Sequence, residues 1–315
     1  MHAFKPLTAA ACLLLAACSG NADNNGKTED PGIAVKTEKA NLKVTTVTEG
    51  LKNPWGLAFL PGGEMLVTER AGSMRLVQPD GTKSPALTGL PEIFSDGQGG
   101  LLDVTLDPDF AQNRWVYFSF SEPGEDGTSG TAVARGKLNE QRLEQVEVIF
   151  RQKPKVESNG HFGSRLVFRD DGSLFITLGD RQWPRQNNYE NPEQRHPQKL
   201  DSHIGTVARI NPDGSIPEDN PFVDREGALP EIWSYGHRNI QGAELHPETR
   251  ELWTGEHGPQ GGDEINLTQA GKNYGWPALT YGEQYGGGKI GQGTQKEGME
   301  QPLHYWDPSI ANAGM

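Results

Sequence analysis

The chain has 315 residues, with 42 acidic against 29 basic side chains and a formal net charge of −13. That balance argues against a nucleic-acid phosphate backbone as a partner, and nothing after the first twenty or so residues is apolar for long enough to span a bilayer. Forty Gly and 22 Pro, only two Cys, and little amphipathic helical periodicity point to an all-β chain rich in turns and held by packing rather than disulfides.

The opening "MHAFKPLTAAACLLLAACSG" reads as a secretory signal over residues 1–17. Leu15-Ala16-Ala17 before Cys18 has the form of a bacterial lipoprotein cleavage box, with an ordinary signal peptide as the alternative. Cleavage there would leave Cys18 free to take lipid and anchor the chain to a membrane. Ser19 in the next position favours the periplasmic side of the outer membrane over inner-membrane retention. Residues 18–40 are polar and lack aromatics, which predicts a flexible tether. Residues 41–315 then form the folded domain.

Four segments within that domain share one pattern: "GLAFLPGGEMLVTE" (56–69), "DVTLDPDFAQNRWVYFSF" (103–120), "SRLVFRDDGSLFITLGD" (164–180) and "GAELHPETRELWTGE" (242–256). Each is a short apolar strand, a turn rich in Pro, Asp or Gly, and a second strand with β-branched or aromatic residues. Recurrence at unequal spacing predicts blades of a β-propeller; a sandwich of similar hairpins is the alternative. A tight hairpin brings the residue before its first strand beside the residue after its second. His161 in "NGHFG" therefore falls beside Asp180 in "LGDR", and Arg238 and Asn239 in "GHRN" fall beside "EHGP" (256–259). Gln98 in "DGQGG" leads the second hairpin in the same sense. If the hairpins are equivalent, these polar groups converge on one mouth of the channel.

His161 with a carboxylate neighbour suits a general base, since the carboxylate fixes the tautomer and stabilises the imidazolium; by itself, such a His is more often a surface-turn residue. Arg238 suits a carbonyl or an anion, or else a structural ion pair. The run "EHGPQGGDEINLTQAGKNYGW" (256–276) is rich in oxygen ligands and glycine, as a hard cation such as calcium requires, although spacing alone does not assign a metal there. No nucleophile elbow supports serine catalysis. No Gly loop opening a helix supports nicotinamide chemistry.

Taken together, "NPWGLAFLPGG", "GQGGLLDV", "NGHFGSRL", "LGDR", "GTVARINPDGSIPEDNPF", "GHRNIQG" and "EHGPQGGDEIN…GKNYGWP" resemble the soluble pyrroloquinoline quinone (PQQ)-dependent aldose sugar dehydrogenases. The resemblance implies a six-bladed β-propeller that oxidises aldoses at the anomeric carbon. His161 would be the base, Asp180 its orienting carboxylate, and Arg238 the group that stabilises the developing oxyanion. Gln98, Arg238, Asn239 and Thr280 match cofactor-contacting positions. Gly258 and Pro259 match carbonyl ligands of a calcium beside the quinone, and Glu264 and Tyr274 match ligands of a second, structural calcium. In this reading the glycines around His161 give the cofactor room. The family continues past "HYWDPSIANAGM" with cations that face the quinone carboxylates, so the last blade is expected to be incomplete here and quinone binding by this chain weak. A calcium-dependent propeller lactonase and a non-catalytic sugar-binding lipoprotein stay open beside this reading. The sugar and the electron acceptor are not specified by the sequence.

Overall fold

The computed structural model describes residues 32–182 and 191–315, which divide into two compact units at Thr46 and Val47. The expected signal, Cys18 and most of the expected tether lie outside the described residues. In the first unit, β1 (Ile33–Lys36) and β2 (Asn41–Val44) pair as an antiparallel hairpin, with Ile33 opposite Val44. Part of the segment expected as tether is therefore a strand.

The second unit is built from four antiparallel sheets, each a simple meander. The first holds β3 (Pro54–Phe59), β4 (Met65–Glu69) and β5 (Ser73–Val77). The second holds β6 (Leu101–Leu106), β7 (Trp115–Pro123), β8 (Ser129–Asn139) and β9 (Arg142–Arg151). The third holds β10 (Gly163–Phe168), β11 (Leu174–Leu178), β12 (Thr206–Ile210) and β13 (Ile232–Tyr235). The fourth holds β14 (Ile240–Leu245), β15 (Leu252–Glu256), β16 (Asp263–Leu267) and β17 (His304–Trp306). The first strands touch in succession, β3 on β6, β6 on β10 and β10 on β14, so the sheets radiate from them as propeller blades.

Alternation of side chains explains why the second strands are apolar on both faces. Val116, Phe118 and Phe120 of β7 pack with Leu66 and Met74 of the first blade, while Tyr117 turns to Leu174 and Ile176 of the third. Phe175, between those two, faces the opposite way toward Ile240 and Leu252 of the fourth. The core is thus a series of inter-blade layers rather than one centre.

One local device recurs at the rim. Each first strand begins with a register shift against its neighbour: between Pro54 and Leu57, Leu101 and Val104, Gly163 and Leu166, and Ile240 and Gly242. A bulge leaves a backbone N–H without a ladder partner. In three blades a hydroxyl of the second strand takes it up: Thr68 Oγ1 accepts from Gly56 N at 2.8 Å, Ser119 Oγ from Asp103 N at 2.9 Å, and Thr177 Oγ1 from Arg165 N at 2.9 Å. Thr68 and Ser119 also donate onward to the carbonyls of Leu102 and Ser164, the second residue of the next first strand in each case. These bulges end the ladders just where the candidate residues stand.

Candidate active site

His161 precedes β10 with φ +46°, a left-handed conformation uncommon for a residue with a β-carbon. Its backbone N–H donates to Gln98 Oε1 at 2.8 Å, which ties the second blade to the third. Its Nδ1 lies 2.7 Å from Asp180 Oδ1. Asp180 follows β11, and its own N–H donates to the carbonyl of Arg238 at 2.7 Å. Its Oδ1 also accepts the Gln182 N–H at 2.8 Å, and its Oδ2 accepts Trp276 Nε1 at 2.8 Å. Hairpin closure brings His161 beside Asp180, as the sequence predicts, and the neighbouring blades add Gln98 against His161 and Arg238 against Asp180.

Burial lowers the pKa of His161 below its ordinary 6.5; Asp180 opposes the shift, while Arg238 and His257 add to it. For Asp180, burial raises the pKa, but His161, Arg238 and the Gln182 N–H outweigh it and hold the carboxyl below its usual value. At neutral pH the pair is a carboxylate and a neutral imidazole. Because a carboxylate only accepts, the ring proton sits on Nδ1 and the lone pair on Nε2.

Arg238 is buried. Its N–H donates to Glu256 Oε2 at 2.7 Å, its Nη1 donates to the His257 carbonyl at 2.8 Å, and its guanidinium lies 5.3 Å from the Trp276 ring centroid. Its Nε is buried without a hydrogen-bond partner. Glu256 also lies 3.2 Å from His237 Nδ1, and His237 Nε2 lies 2.9 Å from Ser234 Oγ. This has the chemical order of a hydrolase relay, but Ser234 and His237 are wholly shielded from solvent. Its role is to hold Glu256 against Arg238.

Two cavities adjoin this network. A cavity of about 380 Å³ at the rim is lined by Trp55, Arg70, Gln98, Phe162, Asn239 and His257, among others. The second, deeper and smaller, brings Arg238, Gly258 and Thr280 together with Glu256, Glu264 and Tyr274. Pro259 lines neither, and its ring lies against Gly282. Burial and the neighbouring Glu256 push the Glu264 carboxyl up to about 8. The Tyr274 hydroxyl donates to the Leu267 carbonyl and accepts from Gln269 N, and its ring stacks on His237. Among the described residues no three His, Cys, Asp or Glu side chains gather as a metal-binding group.

Two features of the site differ from the sequence reading. The glycines beside His161 make room for protein: a β-carbon on Gly160 would lie 2.5 Å from Gln182 Oε1, and one on Gly163 would lie 2.8 Å from the Thr177 carbonyl. In addition, sequence reasoning missed Gln182, Trp276 and Arg181. The Arg181 guanidinium is fully buried; it donates to the carbonyls of Gly160, Ser129 and Ser158, and covers the Phe162 ring at 3.6 Å. It staples the loop that carries His161. The only signal for it was the Arg of "LGDR", which reads as an ordinary exposed turn cation.

The glucose/sorbosone dehydrogenase family model matches residues 51–315. The aldose sugar dehydrogenase YliI of Escherichia coli K12 is 46% identical over 281 residues, covering 88% of this chain and 73% of that protein. The crystal structure of the soluble aldose sugar dehydrogenase from Escherichia coli in its apo-form superposes with a TM-score of 0.78 at 47% identity, over 84% of this chain and 75% of that one. The PQQ-bound form of an aldose sugar dehydrogenase from Streptomyces coelicolor superposes at 0.67 with 30% identity, over 88% of this chain and 73% of that one. With four blades among its described residues and a family match that takes in His161, Asp180 and Arg238, this chain belongs to the glucose/sorbosone dehydrogenase family.

Proposed function

We propose that the chain oxidises aldoses at the anomeric carbon to lactones, with PQQ and calcium as cofactors and His161 as the base. The observation that carries this reading is the buried Asp180–His161 pair, its tautomer fixed and its backbone tied to Gln98 of the rim cavity. The relatives' names support the substrate class, and the PQQ-bound relative supports the quinone.

The residues present fit both cofactors. Trp55, with Arg165 over one side of its ring, offers its other face to a flat ring, and Arg70, Gln98 and Asn239 offer donors for its carboxylates. The partnerless Arg238 Nε offers another. For calcium, Asn266 Oδ1 is a buried acceptor without a partner, and the Asn266 amide is shared between Glu256 and Glu264. An oxygen-rich spot with two buried carboxyl groups suits a hard cation. Glu264 and Tyr274 would hold one ion, and the carbonyls of Gly258 and Pro259 a second. When bound, PQQ supplies a two-electron acceptor and calcium a Lewis acid beside it.

The chain's own groups then have defined tasks. His161 Nε2 takes the proton of the anomeric hydroxyl as hydride leaves the same carbon. Asp180 keeps the other ring nitrogen protonated and stabilises the imidazolium that results. Arg238 presents fixed positive charge toward the developing oxyanion, and Gln98 holds the His161 backbone in place. We read the four sheets as part of a six-bladed propeller, a reading supported by the succession of first strands around one axis. The lipid anchor at Cys18, and with it the periplasmic side of the outer membrane, is supported by the leader sequence.

The test is steady-state oxidation of several aldoses with an artificial dye acceptor. Turnover is expected only when calcium and saturating PQQ are both supplied, in keeping with the weak quinone binding expected of this chain; equal turnover with nicotinamide, or none at saturating quinone, would refute the reading. For the anchor, Cys18→Ala is expected to abolish lipid labelling while leaving the folded domain intact.

A further inference from the structure

The Nε2 lone pair of His161 is already in use. Gln182 Nε2 lies 2.9 Å from it, and with Nδ1 committed to Asp180 the amide is the donor. The reverse amide orientation would set a carbonyl oxygen against a ring lone pair, so the contact itself fixes which end faces the imidazole.

The surrounding structure is arranged for this contact. Arg181 and Gln182 both have positive φ, +60° and +47°, so the chain doubles back over His161 straight after Asp180. Two successive left-handed residues with β-carbons persist only where their surroundings hold them. Here the Arg181 guanidinium is anchored on the carbonyls of Gly160, Ser129 and Ser158, and the Gln182 N–H is anchored on Asp180 Oδ1. On the other side, Gly160 leaves the space that the Gln182 carboxamide fills. His161 is only 5% exposed as a result, and it lines neither cavity although its neighbours Gln98 and Phe162 line the rim one.

We propose that Gln182 is a positioning residue that caps the basic nitrogen of His161 and yields that place to the anomeric hydroxyl of the sugar. The cap is a property of the protein alone; the sugar's part rests on the reading of His161 as the base. Three things follow physically. In the resting protein the cap holds the ring to one tautomer from the side opposite Asp180. Donation to the neutral ring disfavours its protonation. The sugar must compete with an internal hydrogen bond before its proton can be taken, so the cap weakens apparent affinity. The other charged or titratable groups that face His161 are Asp180 after β11, Arg238 before β14 and His257 after β15, while Gln98 before β6 is neutral.

The test has two arms. In the first, the His161 ring is titrated by NMR in the full chain without sugar or quinone, for the wild type, Gln182→Met and Gln182→Ala. Methionine keeps the bulk and removes the donor, so a collapsed turn in the alanine variant does not decide the result. Loss of a donor to the neutral ring is expected to raise the His161 pKa by roughly half to one unit; an unchanged or lower value overturns the cap. In the second arm, aldose kinetics with PQQ and calcium are followed across pH. The acid limb of kcat/KM is expected to move up with the titration, and KM at pH 8 to fall severalfold, with the effect on KM rather than on kcat. A KM that rises or stays fixed overturns the exchange with sugar and makes Gln182 an ordinary substrate ligand or a bystander. Absence of turnover in the wild type would count against the sugar reading, while the cap stands or falls on the titration.

Discussion

His161 depends on its backbone as much as on its ring. A left-handed φ costs roughly 1–2 kcal/mol for a residue with a β-carbon, yet here it turns the imidazole onto Asp180 while its N–H reaches Gln98. Replacing Asp180 separates orientation from charge. In Asp180→Asn the ring loses the group that favours its protonated form, so the acid limb of kcat/KM is expected to move to lower pH while the rate falls by roughly 10²–10⁴-fold. A rate loss with the limb unmoved would show that Asp180 acts on something other than the ring. The pairing itself was legible, because hairpin closure puts residue 161 beside residue 180. Gln182 and Arg181 were not legible: their roles depend on two consecutive positive φ values that no composition or period announces. Gly160 was misread for the same reason, since the atom it accommodates arrives through that turn.

At the scale of the element, the bulge at the start of each first strand does the positioning. Thr177 caps the bulge three residues before Asp180, and Thr68 caps the equivalent bulge in the first blade. Valine in place of either keeps the shape and strands a buried N–H, at about 1–3 kcal/mol. Urea unfolding is expected to show a loss for both, larger for Thr68→Val, which also gives up its bond to the Leu102 carbonyl. Activity at saturating cofactor should fall more for Thr177→Val, because that blade carries the base; equal activity losses would deny the bulge a part in aiming His161. The four hairpins were legible because their second strands are apolar runs bounded by turn residues, with β4 and β11 buried throughout. The outer strands were not: β9 mixes exposed and buried positions without a clean period, and β17 is three residues long and largely exposed. The sequence pattern fades where burial does.

Across the whole molecule the blades are joined by apolar layers and a few buried titratable groups, and these set the response to mutation and to acid. Phe118 lies fully buried in the layer between the first two blades, so Phe118→Ala is expected to destabilise by roughly 3–5 kcal/mol in denaturant titration. His203 lies in the third blade's connection against Phe150 of the second, its Nδ1 accepting from Lys153 N. Burial lowers its pKa below 6.5, with Glu231 opposing and Lys153 assisting, in the same direction as His161. Both rings therefore bind protons more readily in the unfolded chain. Their stability contribution is complete above about 6.5 and declines as pH falls toward the folded values. Unfolding free energy should drop across that window. His203→Asn, which keeps an acceptor for Lys153, should flatten the drop; an unchanged slope would place the acid sensitivity elsewhere.

The central claim is that His161 removes the sugar's proton at a quinone site built by this rim. It is tested most directly by single-turnover reduction of bound PQQ by aldose in the wild type and in His161→Ala. The variant is expected to bind the quinone as the wild type does and to reduce it roughly 10²–10⁴-fold more slowly. Reduction at the wild-type rate in His161→Ala would contradict the claim.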